Sequence, residues 1–363
     1  MIGRSLLLLA VLVLTGCAAT PEKAQFRLGL TPGVDANNLL WPAGTAGEIP
    51  RYVFLGELTG ENNFIKESSK SDKAKSAIAR FLDIVIGEAP PMIMDRPQMG
   101  ATDEAGRIYV TDMGRGSVFV FDGQAGVLST WEKATGAASF ISPVGIALGP
   151  EGRVYVADPE LALVAQLDHE GHPLAPIGQG QLQRPTGIAY DASDGRLYVS
   201  DTGAHDVKIF DMAGNLLSTL GTRGEGPGEF NYPTHLAVRQ EHLYVTDSMN
   251  ARVQVFSTLT GHYLGPISRR GIRFGELVIP KGVAVDSEQN IYVVESYHDQ
   301  LLIYNRRGEF LLPIGGVGEG PGNFHLPAGI WIDSRDRVYV ADMLNSRVQV
   351  FQFLGGDEDD ENR

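Results

Sequence analysis

The chain has 363 residues, 43% of them apolar, which is enough to bury a large core and too many for a disordered polymer. A formal charge of −14 lacks the basic footprint that phosphate backbones demand, so nucleic acid is excluded as a partner, as is adhesion to anionic lipid by charge. The single cysteine, Cys17, excludes a disulfide framework, a Cys-x-x-Cys-His haem site and any zinc site built on cysteines.

Residues 1–19 read as a processing segment: Arg4, an apolar run over 6–14 too short to span a bilayer comfortably, then Leu14-Thr15-Gly16-Cys17. That tetrapeptide resembles a bacterial lipobox. The resemblance implies that 1–16 is a lipoprotein signal peptide and that Cys17 becomes a lipidated N-terminus. Ala18 after it resembles an outer-membrane address, facing either the periplasm or the outside. The simpler alternative is an ordinary signal peptide with a chance cysteine. Residues 17–50, rich in Gly, Pro, Ala and Asn, are expected to form a tether. A strand is predicted over 51–58 and a short Gly…Phe loop over 60–64. A short helical insertion is predicted at about 68–82, then an apolar strand over 83–86 before Pro90-Pro91 breaks the chain.

From Pro97 onward the chain repeats. A proline, a variable residue, a small residue, an apolar residue and usually alanine recur at Pro97, Pro143, Pro185, Pro233, Pro280 and Pro327, spaced 46, 42, 48, 47 and 47 residues apart. Each copy continues with an aliphatic-Tyr-Val strand ending in an acid, then a third alternating strand, and most have a fourth. Four strands per 42–48 residues is the period of a β-propeller blade. The sixth copy runs out before its outer strand, and the strand at 51–58 is spare. The expectation is an all-β, six-bladed propeller over 51–354, of four-stranded antiparallel blades, closed by that N-terminal strand. An acidic disordered tail over 355–363 follows. The alternative places 51–58 in a small separate domain with 68–86.

The G-x-G-P-G-x-F loops at 224–230 and 318–324, the P-x-G-apolar-A turns, and Y-V-x-D-x-x-N-x-R-V-Q-V-F at 244–256 and 339–351 resemble the NHL-repeat family. The resemblance covers about 97–353 and implies the propeller fold. Its functions range over peptide-amidating lyases, binding modules and sensor domains.

In such a blade the blade-to-blade loop and the loop after the second strand open on one face. There the second strand ends in Asp112, Asp158, Asp201, Asp247, Glu295 or Asp342. These acids read either as a cation-binding crown or, more simply, as acceptors for backbone N–H groups of their turns, with Arg252 and Arg347 as partners where present. The small-residue slot holds Met99, Gly145, Gly187, Gly282 and Gly329, but His235 in the fourth copy. The slot of Asn250 and Asn345 holds Arg115 in the first copy and His298 in the fifth, with His205 a step later in the third. Lys281 and His325 complete the polar candidates. Arg269, Arg270 and Arg273, with Phe274, interrupt an acidic surface and fit an anchor for an acidic partner.

Two functions compete. In the first, these residues form the face of a non-catalytic platform that binds an envelope protein or an extended polymer such as a peptide or glycan, with the acyl anchor holding it to the membrane. In the second, which resembles the metal-dependent lyases of the NHL family, His235, Glu295 and His298 hold zinc or calcium. Lys281 would repel such a cation. Neither a nucleophile elbow nor a Walker-type lysine is placed where its mechanism needs it.

Overall fold

The computed structural model describes residues 24–30, 39–43, 48–65 and 91–355. The signal segment with Cys17, the helical insertion expected at 68–82, the strand expected at 83–86 and the tail after residue 355 lie outside the described residues.

Six blades follow one another round a central channel. In the first, Pro97–Thr102, Ile108–Asp112, Ser117–Asp122 and Val127–Trp131 pair in sequence order from the axis outward. The third (Pro185–Asp191 to Leu216–Leu220), fourth (Pro233–Arg239 to Tyr263–Ile267) and fifth (Pro280–Val285 to Phe310–Gly315) repeat this order. The second blade departs from it. Beyond Leu163–Leu167 its outer position holds only single bridges, Val164 to Ile177 and Leu167 to Pro173. Pro173 and Pro176 lack the N–H groups that a continuous ladder would use.

The sixth blade is assembled from both ends of the sequence. Pro327–Ile332, Arg337–Asp342 and Arg347–Phe353 supply three strands, and Tyr52–Leu58 adds antiparallel to the last, from Phe353 opposite Tyr52 to Val348 opposite Leu58. The ring is closed as the sequence predicts, and no inner strand is left as an open edge. Leu40–Trp41 pairs outside Tyr52–Leu58, and Gln25–Phe26 pairs with Phe64–Ile65. Phe26 packs on Phe64 and Phe121, and Trp41 on Phe351. The tether expected over 17–50 is therefore, where described, woven onto the outside of blades six and one. The aromatic side chains explain the difference, because each buries surface a free linker would expose.

Every second strand carries a tyrosine between aliphatic residues (Tyr109, Tyr155, Tyr198, Tyr244, Tyr292 and Tyr339), all buried between blades. The glycines of the small-residue slot answer a different need. A Cβ on Gly145 would lie 2.1 Å from the Thr186 carbonyl oxygen, one on Gly187 2.2 Å from that of Thr234, and one on Gly329 2.2 Å from that of Gln98. Adjacent inner strands thus approach closely at the axial end where each begins, and the slot residue points at the next blade. No helix among the described residues is long and apolar enough to cross a membrane.

Candidate functional site

Antiparallel pairing puts the six blade-to-blade loops, the six turn prolines and the ends of all second strands on one face. The acids at those ends are fully buried. Asp112 accepts the N–H groups of Asp95, Arg96 and Arg115, and Asp158 those of Ile141, Ser142, Glu160 and Leu161. Asp201 accepts from Gln183 and Arg184, and Glu295 from Val278, Ile279 and Tyr297. Asp247 takes the Asn231 N–H at 2.7 Å, Asn250 Nδ2 at 2.8 Å, Arg252 Nε at 2.9 Å and Gln254 Nε2 at 3.1 Å. Asp342 is caged identically by His325, Asn345, Arg347 and Gln349. The Asn-x-Arg-x-Gln spacing is therefore a cage for a buried carboxylate. Its outer atoms also satisfy the G-x-G-P-G-x-F loop: Arg252 donates to the Gly226 and Glu229 carbonyls, and Gln254 accepts the Gly228 N–H. Oxygens so occupied make the acids structural rather than a cation crown.

The proposed metal ligands do not assemble. Glu295 is engaged by three backbone N–H groups. His298 lies in a surface cleft and His235 is 5% exposed inside the ring. Among the described residues no three His, Cys, Asp or Glu side chains converge to hold a metal ion. The sequence-based triad is corrected on this point: one sector of the face is shared, but the three side chains do not converge.

The remaining candidates fall into three groups. His205 is a seam residue: its Nδ1 accepts the Tyr232 N–H at 3.2 Å. Arg115 donates to the Ile93 carbonyl, and His325 is exposed at the rim beside the last turn proline. His235 and Lys281 sit at the axial mouth of this face, His235 buried and Lys281 partly so. Burial, with the nearby Lys281 ammonium, pulls the His235 imidazole down to about 3, so it is neutral.

The basic loop is the most distinctive part of the face. Three blade-to-blade loops share one scaffold, closed by parallel bridges between Arg223 and Phe230, Arg270 and Leu277, and Val317 and Phe324. In the first and third the tip reads Glu-Gly-Pro (225–227 and 319–321). Between blades four and five it reads Ile272-Arg273-Phe274. Ile272 is 82% and Phe274 86% exposed, and Tyr297, in the loop after the second strand of blade five, is 61% exposed. Arg269 pairs with Glu276 at 3.1 Å and Arg270 caps the Met249 carbonyl, which leaves the Arg273 guanidinium without a hydrogen bond among the described residues. The Arg273 backbone N–H and then the Arg269 guanidinium hold the Glu276 carboxyl below the usual carboxylate range. Ile272, Arg273, Phe274, His298, Gln300 and Leu302 line a cleft of about 620 Å³. Aligning 271–277 on 224–230 and 318–324 would have exposed this substituted tip from sequence.

The elements together define a closed six-bladed β-propeller with one loop-rich face. A family model described as a 6-bladed beta-propeller matches residues 188–270 and 276–362. Over 80 residues the chain is 34% identical to the E3 ubiquitin-protein ligase NHLRC1 of Homo sapiens and 36% to that of Rattus norvegicus. Those segments are 22% of this chain and 20% of each relative, so the chain spans about a fifth of the curated relatives it matches. Among solved structures, a streptogramin B lyase is similar with a TM-score of 0.54 at 13% identity, over 72% of this chain and 94% of that one. An auxiliary nutrient binding protein from Bacteroides thetaiotaomicron is similar with a TM-score of 0.56 at 12% identity, over 72% and 70%. At such identities the structural likeness is one of fold. The chain is a six-bladed β-propeller, and its sequence is similar to an NHL-repeat protein over the 80 residues matched.

Proposed function

We propose that the protein is a non-catalytic binding platform, lipid-anchored through Cys17 in the bacterial cell envelope, that captures an extended peptide or protein segment on its loop-rich face. The observation that carries the reading is the Ile272-Arg273-Phe274 tip. A loop scaffold used three times presents, in one place only among these three, two exposed apolar side chains around a guanidinium that makes no hydrogen bond among the described residues. Aromatic and arginine side chains over a cleft are the composition of interface anchors, and a tip held by a closed ring loses little entropy on binding. The ligand it suits carries an apolar side chain for the cleft and a carboxylate for Arg273. The nutrient binding protein of the same fold is named for a binding role, which is compatible with this reading.

The anchor adds an orientation. Ala24 backbone atoms lie within 3.2 Å of where a Gly126 Cβ would stand, in the turn between the third and outer strands of blade one. That turn is on the face opposite the loops. Seven residues of extended chain from Cys17 reach at most about 24 Å, so an acyl chain on Cys17 would hold the back of the ring to the membrane and turn the binding face away. Anchoring is checked by intact mass of the purified protein, where Cys17→Ser should lose the acyl increment and partition into the aqueous phase. Recognition is checked by biolayer interferometry against immobilised peptides combining aromatic and acidic residues. Wild type should bind, and Phe274→Ala and Arg273→Glu should each weaken binding at least tenfold, a loss of about 1.4 kcal/mol. Equal binding by wild type and both variants would remove the tip from the site.

A further inference from the structure

The axial mouth contains unmet polar groups that the platform reading does not use. At most blade seams a side-chain hydroxyl donates to a carbonyl of the next inner strand. Thr111 donates to Val144 at 2.6 Å, Thr202 to Pro233 at 2.5 Å, Ser248 to Pro280 at 2.8 Å and Ser296 to Pro327 at 2.7 Å. Ser200, in the position before the strand-end acid, likewise donates to the Thr234 carbonyl. Its counterpart in blade four is Thr246. That hydroxyl is buried and has no partner, and both ring nitrogens of His235 are buried without a partner as well. The strand register, with Pro233 opposite Asp247 and Leu236 opposite Val245, sets Thr246 across from the bulge that contains His235.

His235 occupies the slot whose residue points at the next blade, which here presents Lys281. The Lys281 ammonium makes no hydrogen bond or ion pair among the described residues, and burial alone lowers its pKa. The residues at the equivalent position of the other inner strands are Gln98, Val144, Thr186, Thr234 and Ala328, none of them charged. The nearby strand-end acids, Asp247 and Glu295, are spent on their own turns. A buried neutral imidazole offers one N–H, a threonine one O–H and an ammonium three N–H groups, an excess of donors around an uncompensated charge. Water can accept some of these bonds but cannot neutralise the charge.

We propose that the seam between blades four and five, at the axial mouth of the loop-rich face, binds a small carboxylate between Lys281 and the His235–Thr246 pair. The carboxylate ion-pairs with the ammonium and its oxygens accept from the imidazole N–H and the threonine O–H. The site is separate from the Ile272-Arg273-Phe274 tip.

Formate is the probe, with methanesulfonate at equal ionic strength as the control for general salt effects. The melting midpoint of the full chain should rise by about 2 °C more in formate than in methanesulfonate, once formate reaches about ten times its dissociation constant. Lys281→Met should abolish the difference. His235→Gly restores the residue found in four other blades and should reduce it. In parallel, the ¹⁵N resonances of the His235 ring should move on titration with formate in wild type and stay still in Lys281→Met. Absence of a formate-specific rise, or a rise of equal size in Lys281→Met, overturns the site and leaves a water-filled seam. Because the probe is formate rather than peptide, this failure is distinct from failure of peptide capture, and the ring resonances decide the matter even if His235→Gly does not fold.

Discussion

Nδ1 of His205 accepts the backbone N–H of Tyr232 at 3.2 Å across the seam between blades three and four, with the two rings 4.5 Å apart. Two blades on, Asp299 does the same for Leu326 at 2.6 Å. His205 and Asp299 occupy the same left-handed position of their turns, with φ of 60° and 53°, and the residues they hold are left-handed too, at 55° and 51°. Each side chain thus fixes a strained residue just ahead of a turn proline. Replacing Asp299 with alanine removes the acceptor and should cost about 1 kcal/mol by urea denaturation, while Asp299→Asn, which keeps an acceptor oxygen, should recover most of it.

Arg347 is 5% exposed and joins three parts of the closing blade. It donates to Asp342 and Glu57, both at 2.9 Å, and to the Gly320 and Asn323 carbonyls. Arg347→Met leaves the Asp342 carboxylate short of its cation inside the ring and releases Glu57 on the N-terminal strand. The expected loss is about 3–5 kcal/mol, read as a fall in the urea midpoint together with earlier proteolysis near residues 52–58.

The glycine slot makes a steric prediction. Gly187→Ala would set a methyl group 2.2 Å from the Thr234 oxygen and 2.8 Å from the His235 Cα, and neither is the flexible end of a side chain. The seam must open, at a cost of about 1–3 kcal/mol measured by denaturation.

The depressed pKa of His235 couples stability to pH. In the folded ring the imidazole protonates only at about 3, whereas an exposed histidine does so near 6.5. Between those values the unfolded chain takes up a proton that the folded chain refuses, so this residue's contribution to stability falls as pH drops from about 6.5 toward 3. The slope is at most about 1.4 kcal/mol per pH unit. Urea midpoints at pH 7 and pH 4.5 should differ less in His235→Gly than in wild type.

On the proposed platform role, a change at Phe274 should separate recognition from folding. Its ring is 86% exposed, so Phe274→Ala should leave the melting midpoint unchanged, within about 0.5 kcal/mol, while peptide capture falls.

The ring was legible because its signals are periodic: a turn proline, a tyrosine in the second strand and an acid at its end recur with each blade. Even the borrowed strand at Tyr52–Leu58 could be placed, since blade six lacked one and this segment alternates. Pairing at Gln25–Phe26 and Leu40–Trp41 was not legible, because two-residue ladders have no periodicity and depend on where Phe121 and Phe351 happen to lie. The slot occupied by His235 was found by alignment, but its burial was not. A glycine-dominated position reads as an open mouth until the contact between adjacent inner strands is seen. The acids were the reverse case, since the same Asn-x-Arg-x-Gln spacing that marked the family also supplied their cage.

The ladder joining Tyr52–Leu58 to Val348–Phe353 also orders events during synthesis. The strand Tyr52–Leu58 must wait, unpaired, until Val348–Phe353 has been made, so no nascent fragment ending before about position 348 has a finished circle. A premature stop just before Val348 would therefore be far more harmful than the few strand residues it removes, releasing a gapped ring with a raw β-edge on each side of the break.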